Sequence, residues 1–383
     1  MKKFLFSLLF IALGVALGAA ILFSGLNYLL VLLLIASTIL LHTIAHELGH
    51  LVFALLTGFK FVSISLCSLA IYKYPDGLKI KTFSLAGAAG FCQMCPRNSV
   101  EKTSFFLYLF GGVLANIITS LAFVALLFFV TNIYAIIFCV SAIVIGIIFA
   151  TLNGIPLNLN IANDGRLLTT VYHSPENKLA YYQNLTSLTA HTHGALLSEF
   201  LAAHPVTILS PVDYSNVTKL ALKFTEIAAY YERLQFDAIR SEFNKMSKYE
   251  YTLPTVIHFE YLKELLFLDI VTGNRTLTTI ADGTVSIATE NEETDNLYAA
   301  VSSHLKQNHL SSKRILYAYY LLYKRDDLSA AKVKADFNAL AKTYPILGAI
   351  KAEQILMNYI DTKPNLNVCH IPPYIPSATN AHI

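Results

Sequence analysis

The chain has 383 residues, 55% hydrophobic and only 14% charged, and its mean hydropathy of +0.53 is far above that of an ordinary water-soluble protein. A net charge of +3 without any Lys/Arg-rich block interleaved with aromatics argues against a nucleic-acid partner. Five scattered cysteines (Cys67, Cys92, Cys95, Cys139, Cys369) do not form an extracellular disulfide framework, so reduced thiols facing the cytosol are expected.

Long apolar runs fall before residue 153 and charged residues become frequent after residue 166, so a membrane half precedes a soluble half. A helix needs about 20 apolar residues to cross roughly 30 Å of hydrocarbon. Four segments qualify: residues 4 to 23, 27 to 57, 104 to 130 and 134 to 152. The first follows Lys2 and Lys3 as a signal peptide would, but its length and the lack of a polar cleavage region favour a retained span.

Lys60, Lys73, Lys79, Lys81, Arg97 and Lys102 crowd the connection between the second and third spans, whereas the connections near residues 24 to 27 and 131 to 133 carry no Lys or Arg. The positive-inside rule places the N-terminus, the basic connection and everything after residue 153 in the cytosol of a multi-pass protein of a cell membrane, expected to be bacterial. Within residues 59 to 100, FVSISLCSLAIYKYP and LKIKTFSL alternate around Asp76-Gly77, the pattern of a β-hairpin held against the membrane. The GAAGFCQMCP stretch that follows is glycine-rich and reads as an irregular loop returning toward the bilayer.

The second span carries HTIAHELGH at residues 42 to 50. Residues four apart share a helix face, so His46 and His50 can present two imidazoles to one ion while Glu47 reaches a water on it. His46 lies 12 residues inside Gly58, about 18 Å at 1.5 Å per residue. An ionisable side chain at that depth costs roughly 2.5 to 3.5 kcal/mol on insertion scales, which marks it as functional and which a bound cation offsets. Histidines that merely hydrogen-bond between helices would not favour this spacing. His42 shares the face, but three successive turns cannot wrap a tetrahedral ion, so a structural role is expected for it.

A catalytic zinc usually takes three protein ligands and a water. After the fourth span come Asn153-Gly154-Ile155-Pro156 and then Asn163-Asp164-Gly165, and Asp164 is the acid best placed to complete the site.

The A-H-E-L-G-H motif, the later N-x-x-P and D-G, and Gly112-Val113-Leu114-Ala115-Asn116 in the third span together resemble the site-2 protease family of intramembrane zinc metalloproteases, over about residues 27 to 170. The resemblance implies that Zn2+ is held by His46, His50 and Asp164, that Glu47 is the general base, and that Asn153 contacts the substrate backbone. Asn116 is a second candidate for the substrate cleft, with close helix packing beside Gly112 as its other reading. Gly90-Phe91-Cys92-Gln93-Met94 falls where relatives carry a membrane-associated β-loop that presents an extended substrate. In many relatives the aspartate follows the motif proline by five positions, whereas here eight separate Pro156 from Asp164.

Cys92 and Cys95 form a C-x-x-C without a second pair and read as loop residues, and His191 and His193 read as solvated. From Pro175 the pattern turns helical. Residues 219 to 246 and 314 to 345 each read as two amphipathic helices around a polar turn, loosely like tetratricopeptide hairpins. Residues 257 to 283, turning at Gly273-Asn274-Arg275, read as a third such pair, and Tyr230, Tyr231, Tyr319, Tyr320 and Tyr323 as core.

The expected fold is mainly α: an N-terminal span (1 to 26), a membrane bundle of about four spans in all whose core (27 to 170) includes the β-hairpin loop 59 to 100, a cytosolic all-α domain (171 to 363) and a flexible tail (364 to 383). The expected function is zinc-dependent cleavage of membrane-anchored or signal-sequence-like peptides within or beside the lipid bilayer, such as a pheromone or bacteriocin precursor. Release of a signal by cutting an anti-sigma factor is the competing enzymatic reading. A zinc-binding receptor, immunity or scaffold protein is the non-enzymatic one, against which the intact Glu47 argues. The helical domain is expected to bind a regulator or substrate.

Overall fold

The computed structural model describes residues 25, 27–83, 89–157, 162–205, 214, 216–273, 277–279, 285–287 and 292–363. The expected first span and the expected tail lie outside the described residues. The chain divides into two compact units, the first running to Thr186 with Asn216–Thr218 and the second comprising the rest.

In the first unit three helices are long and apolar enough to cross a membrane: α1 (Tyr28–Leu56), α2 (Phe106–Leu127) and α3 (Ile133–Gly154). Side chains of Leu33, Leu48, Val52, Ile118, Leu121 and Ile147 point outward, as on lipid-facing helix sides. The inward seam is small or polar. On α1 it is Thr38, His42, His46, His50 and Ala54, one residue per turn, and on α3 it is Cys139, Ala142, Gly146 and Ala150. Because lipid is as apolar as leucine, helix association here depends on close backbone approach and polar contacts rather than on hydrophobic burial. Gly49 of α1 and Gly111 of α2 meet with no room for a side chain, since a Cβ on Gly49 would strike the Gly111 carbonyl oxygen.

Between α1 and α2 lies an antiparallel sheet, β1 (Phe59–Leu66), β2 (Leu69–Tyr74), β3 (Gly77–Thr82) and β4 (Gly90–Pro96), in the order β3-β2-β1-β4. The Asp76-Gly77 turn joins β2 and β3, with Gly77 at φ +123°. The FVSISLCSLAIYKYP run breaks into two strands at Cys67, which takes a positive φ of 53°. From Gly90 onward the stretch expected as an irregular loop is instead β4, because pairing with β1 from Phe59 to Leu66 supplies the backbone partners that neither its composition nor its pattern revealed. Phe59, Met94, Phe105, Tyr108 and Leu109 bury together between sheet and helices, and Val171, Tyr181 and Leu185 from α4 (Asp164–His173) and α5 (Pro175–Thr192) complete that core.

The second unit is helical: α6 (Leu197–Ala203), α7 (Val217–Glu232), α8 (Phe236–Met246), α9 (Thr255–Thr272), α10 (Glu292–Leu305), α11 (Leu310–Ala318), α12 (Asp327–Thr343) and α13 (Leu347–Thr362). The two expected helical pairs form as α7/α8 and α11/α12. The third does not. After α9 ends at Gly273 in a left-handed cap, Leu277–Thr279 pairs with Val285–Ile287 as a β-ribbon, in keeping with a stretch rich in Thr, Val and Ile. Tyr231 and Tyr319 are buried, whereas Tyr230, Tyr320 and Tyr323 are only partly so. His191, expected in solvent, is buried with Nδ1 at 3.0 Å from the Ala195 carbonyl, and burial lowers its pKa. Arg314 of α11 is buried and ties α9 to α13, donating to Glu264 at 2.7 and 2.9 Å and to Glu353 at 2.6 Å.

Candidate metal centre

Three ligand-bearing groups converge in the first unit. His46 Nε2 lies 3.1 Å from His50 Nε2 and 3.0 Å from Asp164 Oδ2, and His50 Nε2 is 3.4 Å from the same oxygen. The two imidazoles come from successive turns of α1, and the carboxylate arrives more than a hundred residues later on the first turn of α4. Burial disfavours the Asp164 carboxylate, but the two imidazoles outweigh it and hold its pKa well below the usual range. Its Oδ2 is buried without a hydrogen bond of good geometry.

Zinc takes nitrogen and oxygen ligands at about 2.0–2.2 Å in a tetrahedron, whose edges are then roughly 3.3–3.6 Å. The observed triangle is close to such a face, and its donor set of two imidazoles and a carboxylate is one that zinc accepts. The residues present therefore fit the ion.

Placement of Asp164 is the work of its neighbour. Asn163 caps α4, accepting from Arg166 N at 2.9 Å, and donates to the carbonyls of Leu152 and Ile155 at 2.6 Å each. One side chain thus pins the start of α4 to the end of α3. Gly165 allows the approach, since a Cβ there would strike the Gly154 carbonyl. Tyr172 adds a second tie, its hydroxyl accepting from the backbone N–H of Phe105 and of Phe106 at 3.1 Å.

The rest of the surround comes from α2 and β4. The His50 Nδ1 donates to the Tyr108 carbonyl at 2.7 Å. Asn116 is wholly buried, with its amide 3.1 Å from Nδ1 of His46 at one end and 3.1 Å from Nδ1 of His42 at the other. Glu47 is buried against β4, where a Cβ on Gly90 would stand 2.8 Å from its Oε1. Asn153 lies at the end of α3, its amide donating to the Phe149 carbonyl at 3.0 Å. The thiol of Cys92 is pushed up in pKa by burial and so stays protonated, while the Cys92 carbonyl accepts from the Tyr108 hydroxyl at 2.8 Å.

Sequence reasoning did not assign roles to Asn163 or Tyr108. The first had a signal, an Asn before a helical first turn. The second acts through a backbone carbonyl, which leaves none.

The model of peptidase family M50, which is the site-2 protease family, matches residues 34–312, more than half of the chain. This chain belongs to that family. Its membership makes it a membrane metallopeptidase of the site-2 type, and three apolar helices agree with residence in a membrane. No curated protein and no solved structure matches the chain. The M50 match takes in the HExxH turn of α1, Asn116, Asn153 and Asp164, so the candidate catalytic, metal and substrate residues lie inside it.

Proposed function

We propose that this M50 peptidase holds zinc through His46, His50 and Asp164 and hydrolyses peptide bonds of membrane-anchored or signal-sequence-like peptides within or beside the bilayer. The observation that carries the reading is the 3.0–3.4 Å convergence of two imidazole nitrogens from an apolar span with one carboxylate oxygen from α4. When bound there, zinc supplies Lewis acidity toward the scissile carbonyl and lowers the pKa of water to about 7.

The protein's own groups do the rest. Glu47 takes a proton from the attacking water and passes it to the leaving amide nitrogen, so that one C–N bond breaks as one C–O bond forms. Among the described residues no strand pairs with the outer edge of β4, which runs past Glu47 at Gly90 and is suited to receive an unwound segment by backbone pairing. Asn153, at the end of α3, is assigned to the substrate backbone.

The basic residues between α1 and α2 assign that connection to the cytosol, and the two crossings by α2 and α3 return the chain after Gly154 to the same side. The second unit is assigned to binding a substrate or regulator there. A secreted-peptide precursor is the favoured substrate over an anti-sigma factor.

The test is to co-express wild type and Glu47→Gln with membrane-anchored candidate peptides of both kinds. Processing by the wild type alone supports the reading, and equal processing by both rejects it. Which peptide is cut separates the two substrate classes.

A further inference from the structure

A histidine that binds a metal through Nε2 must carry its proton on Nδ1, and something must accept that proton. For His50 the acceptor is the Tyr108 carbonyl at 2.7 Å, which can only accept and so admits one tautomer. For His46 the neighbour is Asn116, and an amide can present either its oxygen or its N–H2.

The two ends of that amide stand at the same 3.1 Å from two imidazole Nδ1 atoms one turn apart on α1, the oxygen at His42 and the nitrogen at His46, so the arrangement proposed below is the flipped amide. A half turn about χ2 exchanges oxygen and nitrogen without displacing other atoms. With nitrogen toward His46, that ring accepts at Nδ1 and its proton sits on Nε2, aimed at Asp164. With oxygen toward His46, the proton sits on Nδ1 and the Nε2 lone pair faces the ligand cluster.

The second arrangement leaves the amide N–H2 pointing at His42, in a place where Asn116 and His42 are both wholly buried. There, an N–H without an acceptor is costly. His42 supplies the acceptor at Nδ1 and moves its own proton to Nε2, which has no hydrogen-bond partner among the described residues, so the unpaired hydrogen passes from the amide to the ring and metal binding at His46 must offset its cost. Gly146 makes room for this ring, since a Cβ there would stand 2.8 Å from His42 Nε2.

We propose that Asn116 accepts the Nδ1 proton of His46 to free Nε2 for the metal, and that His42 serves as the acceptor for the amide hydrogen left over. Asn116 is then a positioning residue for the ion, and His42, for which the sequence suggests a structural role, is its support. This rests on the cluster being a zinc site.

The test is zinc affinity, measured on purified, chelator-stripped full-length protein by competition with a chromophoric chelator. Asn116→Leu lowers affinity by about 10–100-fold, the usual cost of losing such a partner. Asn116→Asp keeps it, because a carboxylate also accepts from Nδ1. His42→Leu weakens binding, and His42→Gln, which can both donate and accept, restores it. A role in packing alone, or in donating to substrate, does not produce that pattern.

Loss of affinity in Asn116→Asp, or wild-type affinity in Asn116→Leu, overturns the proposal. Should Asn116→Leu fail to fold, the comparison of Asn116→Asp with wild type decides. A wild type that takes up no zinc overturns the metal-site reading, and this proposal with it, which distinguishes the two failures.

Discussion

The backbone of Gly112 lies against the imidazole of His46, so closely that a Cβ added there would stand 2.5 Å from the ring Cε1 and 2.6 Å from Nδ1. Because α1 and α2 also touch at Gly49 and Gly111, parting them to make room would break that contact too. Gly112→Ala should therefore turn the His46 ring rather than part the helices. Alanine is the better helix former by roughly 0.5–1 kcal/mol, so the variant should keep its helical content. Its zinc affinity, by competition titration, should fall about 10–100-fold. Unchanged affinity would mean that the ring tolerates displacement.

Asn163 stands beside Asp164 in sequence, and its side chain, not that of Asp164, holds the two helix ends together. Asn163→Ala removes an N-cap worth about 1 kcal/mol and strips the Leu152 and Ile155 carbonyls of their donor. Zinc binding should weaken although all three ligands remain. Asn163→Asp keeps the cap acceptor but not the two donations, and should fall between alanine and wild type. Equal affinity in all three proteins would show that α4 is placed by other contacts.

How far these features could be read from the sequence varied with how local they are. The imidazole pair is fixed by one helical turn, so HELGH disclosed it. Asp164 was reachable because a proline and an Asn-Asp-Gly announce where a helix stops and the next starts. Its distance from α1 was not, since that depends on Gly154, Gly165 and Asn163 meeting across two helix ends. The amide of Asn116 reaches His42 and His46 only because small residues let α1 and α2 touch, and helix–helix register has no local signature. The strand at Gly90–Pro96 looked like a loop because its partner, β1, lies some thirty residues earlier and its glycine is there to clear Glu47. The ribbon after α9 was misread for a related reason, a helical pattern carried past its left-handed glycine cap.

In the second unit, Arg314 is buried between Glu264 and Glu353 and lies 3.9 Å from the Phe267 ring centroid. Burial raises the Glu353 pKa and the Arg314 charge opposes the rise. Arg314→Met leaves two largely buried carboxylates without their counter-charge and should cost about 3–5 kcal/mol, seen as a lower unfolding midpoint by circular dichroism. Zinc content should be unaffected, since none of the three ligands lies in this unit. A midpoint equal to wild type would show that the carboxylates simply take up protons.

Metal analysis of the purified full-length protein and of Asp164→Asn decides whether a divalent ion joins α1 to α4. One equivalent of zinc in the wild type, with little or none retained by Asp164→Asn after dialysis, is the expected result. No stoichiometric metal in the wild type, or equal retention by the two proteins, would contradict it.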